Sequence, residues 1–297
     1  MNDRGCAPFV KWAGGKKQLL PELIAHIPEG FGKTITKYAE PFVGGGAFLF
    51  SILYSYNLDA VYISDINKTL ITTYKTVRDR VDDLVEELSR LQEQFKSLEK
   101  ESQKTFYYEK REQYNQLIEK QNDGLKVASL FIFLNRTCFN GLYRVNARNK
   151  FNVPMGDYVN PLICDEQLLR NDSKALQNTD IVCADYKKST SFMDEKTFVY
   201  FDPPYRPLNT TASFTSYSSG GFTDKDQIEL ANYTRELSIN GIKFLLSNSD
   251  PKNTNLNDNF FDDLYSEFKI ERIFANRNIS SKVEGRKKIS ELLIYNY

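Results

Sequence analysis

The apolar run Thr197-Phe198-Val199-Tyr200-Phe201 stops at Asp202-Pro203-Pro204-Tyr205, and no other local pattern restricts the chain as much. The run reads as a strand. The four residues after it place a carboxylate, a rigid turn and an aromatic ring where the strand ends, which is where open α/β sheets bind ligands. Two consecutive prolines have fixed φ and no N–H to donate, so the carbonyls beside them point outward in a preset geometry instead of joining a ladder. An exocyclic amine needs such a place: Asp202 and the Pro203 carbonyl can accept its two hydrogens while Tyr205 lies flat against the ring that carries it. Alone, the same four residues would read as a strand closed by a proline turn.

Periodicity along the chain supplies the frame. Val61 to Ser64, Ile181 to Ala184, Phe198 to Phe201, Ile242 to Leu246 and Ile289 to Tyr295 read as strands alternating with helices, the pattern of a mostly parallel sheet in an α/β protein. Val81, Leu84, Val85, Leu88, Leu91, Phe95 and Leu98 recur at three- and four-residue intervals and predict an amphipathic helix. Lys126 to Leu134 is apolar enough for a buried helix or a strand. Leu142-Tyr143-Arg144-Val145 and Lys150-Phe151-Asn152-Val153, joined by Asn146-Ala147-Arg148-Asn149, predict a β-hairpin. The expected organisation is a discontinuous catalytic domain, residues 1–67 and 163–297, with a helical recognition domain inserted over residues 68–162 and carrying the hairpin.

A second constellation lies upstream. In Glu40-Pro41-Phe42-Val43-Gly44-Gly45-Gly46 the glycines let the backbone approach a ligand closely and open a helix whose N-terminal amides face it. The spacing is not G-x-G-x-x-G, since position 49 is Leu, which argues against a nicotinamide cofactor. Val61-Tyr62-Ile63-Ser64-Asp65 puts an acid at a strand tip about 20 residues further on, where such folds hold ribose hydroxyls. Loop and acid together indicate an adenosine-bearing cofactor.

Composition narrows the classes. With 297 residues, 41% of them hydrophobic, the chain can bury a substantial core as one large domain or two smaller ones. No apolar run approaches a membrane span and the first residues form no secretory signal, so a cytoplasmic-type chain with no membrane partner is expected. Cys6, Cys138, Cys164 and Cys183 lack C-x-x-C spacing, and His26 is the one histidine, so no metal site is expected. Net charge is zero, yet no acid falls between Asp123 and Asp157, where Lys126, Arg136, Arg144, Arg148 and Lys150 alternate with aromatics. Lys282, Arg286, Lys287 and Lys288 form a second basic stretch. Such segregation can give a neutral protein a phosphate-binding face, although chance clustering accounts equally for the second stretch.

The chain also resembles a known family. Phe9-Val10-Lys11-Trp12-Ala13-Gly14-Gly15-Lys16, the Glu40 to Gly46 loop, Leu134-Asn135-Arg136, Phe139-Asn140-Gly141-Leu142-Tyr143-Arg144-Val145-Asn146, Phe151-Asn152-Val153-Pro154, Asp202 to Tyr205, Leu246-Ser247-Asn248 and Ser290-Glu291-Leu292-Leu293-Ile294 are similar, in order, to the Dam-type (D12 class, α group) N6-adenine DNA methyltransferases, including GATC-specific methylases of restriction-modification systems. The likeness covers nearly the whole chain, except for the charged stretch from Glu93 to Asp123. It implies a Rossmann-like sheet that binds S-adenosyl-L-methionine, double-stranded DNA as partner, and a cognate restriction endonuclease in the same system with no direct contact.

The resemblance also implies roles. Asp202, Pro203, Pro204 and Tyr205 would be catalytic. Trp12, Lys16, Glu40, Phe42, Gly44, Gly46, Asp65, Asp185 and Asp202 would serve the cofactor, with Asp65 on the ribose and Asp185 on the adenine amine; a capping Asp185 and a core Trp12 are the structural alternatives. Lys11, Phe139, Asn140, Leu142, Arg144, Asn146 and Pro154 would meet DNA. Arg144 suits a bidentate pair with guanine O6 and N7, and Phe139 is either an intercalating ring or a buried hairpin residue. The expected reaction is methylation of a flipped adenine in GATC. An RNA adenine methyltransferase, a protein glutamine methylase and a non-catalytic nucleotide-binding module are the rivals.

Overall fold

The computed structural model describes residues 5–12, 14–122, 124–206, 222–275 and 289–297. Strands β1 (Lys37–Glu40), β2 (Ala60–Asp65), β3 (Thr179–Cys183), β4 (Thr197–Phe201), β5 (Lys243–Ser249), β6 (Lys269–Ala275) and β7 (Ile289–Tyr295) form one seven-stranded sheet in the order β3-β2-β1-β4-β5-β7-β6. The β1–β2, β1–β4 and β4–β5 pairs are parallel, while β7 runs antiparallel to both β5 and β6. Every residue of β4 is buried, as its unbroken apolar run requires of a strand covered on both faces. Chain order reverses between β1 and β4, which makes their carboxyl ends the topological switch point, where open sheets of this kind bind ligands. Glu40 ends β1 there, leading into Pro41-Phe42, and Asp202-Pro203-Pro204-Tyr205 follows β4.

Two compact units account for the chain. One comprises Met1–Gly15, Val43–Tyr56 and Ser64–Ala184; the other Lys16–Phe42, Asn57–Ile63 and Asp185–Tyr297.

The first unit is built around helix α6 (Leu125–Thr137), buried on all sides from Val127 to Asn135. At this length the Lys126 to Leu134 segment resolves as a helix. Around it pack α3 (Lys68–Asp79), α4 (Val81–Lys96) and α5 (Lys100–Glu119). Helix α4 turns Leu84, Val85, Leu88, Leu91 and Phe95 inward, as the spacing predicts. Helices α2 (Ala47–Ser55) and α7 (Glu166–Ala175) complete this unit.

The second unit holds most of the sheet, with α1 (Leu20–Ala25), α8 (Asp224–Ile239) and α9 (Phe260–Leu264). Helix α8 starts at a capping box in which Thr223 and Asp226 satisfy each other's backbone N–H. No helix among the described residues is long and apolar enough to cross a membrane.

The expected hairpin is reduced. Val145 and Phe151 form one isolated antiparallel bridge, flanked by Asn146 N–H to Lys150 O at 2.9 Å and Asn152 N–H to Arg144 O at 3.2 Å. Side chains from α5 replace the missing ladder. Asn115 accepts from the Phe151 N–H at 2.8 Å and donates to its carbonyl at 3.1 Å, and Tyr107 donates to the Val153 carbonyl at 2.8 Å.

Candidate active site

In the second unit the residues after β4 are held at several points. Lys16, in the short 3₁₀ turn Lys16–Gln18, brings its ammonium 2.8 Å from Asp202 Oδ1 and 4.4 Å above the Tyr205 ring centroid. The Ser247 hydroxyl on β5 donates to Asp202 Oδ1 at 3.1 Å, so its oxygen receives the Tyr200 hydroxyl, 2.9 Å away. Tyr205 donates to Glu291 Oε2 on β7 at 2.6 Å. Burial raises the Asp202 carboxyl above the usual range; Lys16 and Ser247 pull it down, and Glu291 adds to the rise. Among the described residues none donates to the Pro203 carbonyl.

Glu40, 2% exposed at the tip of β1, accepts the Tyr38 hydroxyl at 2.6 Å. Phe42 stacks on Tyr186 at 5.3 Å between centroids. Asp185 caps the turn Tyr186–Phe192 by accepting the Lys187 N–H at 3.0 Å; this is the structural alternative foreseen for it.

In the first unit the glycine loop closes on the strand-tip acid. Asp65 Oδ2 accepts the Gly44 N–H at 3.2 Å and Oδ1 the Asn67 N–H at 2.8 Å. Its carboxyl is raised by burial against these backbone donors. A Cβ on Gly44 or Gly45 would stand 2.9 to 3.0 Å from Trp12 atoms, and one on Gly46, at φ +70°, would run into the Tyr74 hydroxyl. The close approach that these glycines permit is therefore, within this chain, to Trp12 and Tyr74. Trp12 stacks on Tyr143 at 5.6 Å and meets Phe131 edge-on.

The candidate DNA-reading residues, Lys11 and those from 139 to 154, also belong to this unit. Asn135 at the end of α6 accepts the Lys11 N–H at 2.7 Å and donates to the carbonyls of Lys11 at 2.8 Å and Gly141 at 3.0 Å. It thereby ties the Lys11 segment to the turn Phe139–Gly141, whose Asn140 takes φ +54°. Phe139 is 51% exposed, which excludes the buried alternative. Arg144 is exposed and donates through Nε to Asn152 Oδ1 at 2.8 Å. Among the described residues its terminal nitrogens have no protein partner. Leu142 is half-buried and Pro154 exposed; Asn146 accepts the N–H groups of Arg148 and Lys150. The basic stretch from Lys282 to Lys288 lies outside the described residues.

Ser247, Asn248, Glu291 and Asn135 stand inside the motifs that carry the resemblance, yet motif matching assigns them no task. Gln227, Asn115 and Tyr107 stand outside any motif.

A switch-point sheet with a glycine loop, an acid ending β2 and an Asp-Pro-Pro-Tyr turn ending β4 defines a Rossmann-like methyltransferase. Comparison with known proteins narrows the class. Residues 12–279 match the family described as D12 class N6 adenine-specific DNA methyltransferase. The chain is 49% identical to the type II methyltransferase M.MjaIII of Methanocaldococcus jannaschii over 292 residues, 98% of this chain and 99% of that protein. It is 36% identical to the type II methyltransferase M1.LlaDCHI of Lactococcus lactis subsp. cremoris, over 98% of this chain and 95% of the relative. Identity is also 36% to the DNA adenine methylase of Escherichia coli, over 96% of this chain and 93% of that protein. The chain belongs to the D12 class N6 adenine-specific DNA methyltransferases. Its substrate is therefore adenine in DNA, and the RNA alternative is not supported.

Proposed function

We propose that the protein methylates N6 of an adenine flipped out of duplex DNA, within GATC, with S-adenosyl-L-methionine as donor. The observation that carries the reading is the turn after β4, where the Asp202 carboxylate and the Tyr205 ring face one position, held here by the Lys16 ammonium. The adenine amine is a poor nucleophile because its lone pair is delocalised into the ring. Accepting its two hydrogens at Asp202 and the Pro203 carbonyl favours a pyramidal nitrogen and stabilises the positive charge that develops on it.

The Lys16 ammonium now stands at Asp202 and above Tyr205, the same carboxylate and ring face that the amine requires. It has to swing aside as the base arrives. Stacking on Tyr205 then offsets part of the stacking lost on flipping. After transfer the proton leaves to solvent past Asp202.

The residues present suit the donor. Asp65 accepts the N–H groups of Gly44 and Asn67, with Ile66 as a third backbone donor, and its two oxygens keep one lone pair for a ribose hydroxyl; among the described residues Gly45 is the loop glycine whose N–H and carbonyl are not bonded within the chain. The donor, when bound, supplies an electrophilic methyl group on a sulfonium. The GATC assignment is supported by the resemblance of Asn140 to Arg144 to known readers and by the exposed Phe139 and Arg144.

The test is to expose a plasmid to protein and cofactor, then to nucleases that differ in sensitivity to methylated GATC. Protection is expected, together with a rate for Asp202→Ala lower by about 10²-fold or more. Methylated adenine outside GATC would overturn the sequence assignment, and a near-normal rate in the variant would overturn the mechanism.

A further inference from the structure

The Asp202 to Tyr205 turn is braced by two side-chain amides whose orientation is fixed. The Ser249 N–H can only donate, and it lies 2.9 Å from Asn248 Oδ1. Asn248 Nδ2 therefore donates, at 3.0 Å, to Gln227 Oε1. Gln227 Nε2 in turn donates, at 3.2 Å, to the Pro204 carbonyl. With a backbone donor at one end and a backbone acceptor at the other, neither amide can rotate without setting donor against donor or acceptor against acceptor.

Gln227 and Asn248 are both fully buried. A buried amide costs stability unless it is bonded, whereas a fully satisfied network holds its members in one arrangement. This arrangement ends on the turn that carries the chemistry. Ser247 reaches Asp202 and Ser249 Oγ reaches the Arg206 carbonyl at 3.0 Å, so successive residues of β5 hold the turn on each side of Pro204. The Pro204 carbonyl is committed to Gln227. Among the described residues nothing donates to the Pro203 carbonyl, which is left as the acceptor next to Asp202 in the turn.

We propose that Gln227 and Asn248 are positioning residues for methyl transfer: their amide relay sets the peptide planes of Pro203 and Pro204 so that the Pro203 carbonyl and Asp202 converge on the target amine. The proposal rests on the function given above and deepens it. Neither residue touches the base; both act through the turn.

The test compares full-length wild type, Gln227→Leu and Gln227→Glu in single-turnover methyl transfer to an adenine-containing duplex, between about pH 6 and about pH 9. Binding of S-adenosyl-L-methionine and of duplex is measured alongside. Leucine fills the volume but cannot donate, and its rate should fall about 10- to 100-fold while both affinities stay within about twofold. Glutamate still accepts from Asn248. Protonated, it donates to Pro204 as the amide does; ionised, it turns an anionic oxygen on that carbonyl. Its rate relative to wild type at the same pH should therefore approach unity at the acid end and fall toward the leucine level at the alkaline end. A leucine variant as fast as wild type overturns the proposal, and so does a glutamate variant whose relative rate is low and flat across the range, as simple structural damage would give. Should the leucine variant not fold, the slope of the glutamate ratio alone decides. Wild type that leaves adenine N6 unmethylated in this assay defeats the functional reading itself, whereas active wild type with indifferent variants defeats only the relay.

Discussion

Replacing Lys16 with methionine probes the charge balance at the Asp202 turn. The two side chains are 2.8 Å apart and keep 6% and 22% of their exposure. At that separation and an effective dielectric near 20, the bare attraction is about 6 kcal/mol, most of it cancelled by desolvation. Removing one partner of a buried pair costs about 3–5 kcal/mol. Asp202 retains the Ser247 hydrogen bond and some contact with water, so a loss of about 2–3 kcal/mol is expected at neutral pH. Methionine keeps the length of the stem, which makes the change mainly one of charge. Burial already raises the Asp202 carboxyl, and Lys16 is the largest influence lowering it; without the lysine it rises further. A carboxyl raised in the folded state holds its proton where the unfolded chain has lost it, so stability falls as pH climbs from the ordinary carboxylate range through the raised value. The penalty for Lys16→Met is accordingly larger near about pH 8 than near about pH 5. Urea unfolding of both proteins at the two pH values, followed by circular dichroism, measures it. Equal penalties at the two pH values, or a larger one in acid, would refute the pairing.

Asp65→Ala should weaken S-adenosyl-L-methionine binding by about 1.5–3 kcal/mol, the scale of a charge-assisted hydrogen bond; unchanged calorimetric affinity in a folded variant would move the ribose contact elsewhere. Arg144→Ala should cost about 1–3 kcal/mol on the cognate duplex and much less on duplexes altered at the guanine; equal losses on all duplexes in a methylation assay would mean that the segment holds DNA without reading it. Asp172 on α7 accepts the Ala7 N–H at 3.1 Å through Oδ1, its Oδ2 has no partner among the described residues, and burial pushes its carboxyl up to about 8. Its stabilising contribution is full below about pH 4 and is lost by about pH 8, so Asp172→Asn should gain on wild type across that window by up to about 1.4 kcal/mol per pH unit. A difference in unfolding midpoint that does not vary with pH would sink this assignment.

The sequence announced those parts of the fold whose side chains report their own environment. An unbroken apolar run such as Phe198 to Phe201 has to be buried on both faces, and the spacing from Leu84 to Phe95 has to be one helical face; both are so. Strand β1 escaped because Lys37-Tyr38-Ala39-Glu40 has charged ends and an apolar centre of only two residues, and its burial comes from its place beside β4. Strand β6, Lys269–Ala275, mixes Lys, Glu and Arg with apolar residues, as an edge strand can when one side is left unpaired. The hairpin misled in the other direction. Its residues favour extended backbone, but the partners that fix it are side chains on α5, a segment that carries no motif.

That last case follows from a general constraint. Backbone that must present Asp202 and the Pro203 carbonyl, or Phe139 and Arg144, cannot lie in a helix or a regular ladder, so its N–H and C=O groups need other partners. Short polar side chains on neighbouring regular elements supply them. Asn135 serves Lys11 and Gly141, Asn115 serves Phe151, and Gln227 with Asn248 serves Pro204. Such residues are buried and polar, so hydrophobic periodicity counts them as exceptions and motif matching passes over them. A signal for one of them is present all the same. In Phe131-Ile132-Phe133-Leu134-Asn135 an amide continues an apolar run in a helix buried on all sides, and an amide in that setting has to be satisfied by backbone that is not helical itself. Searching buried elements for such amides, and asking which irregular segment each one holds, leads from the core to the residues proposed to read DNA and to the turn proposed to carry the chemistry.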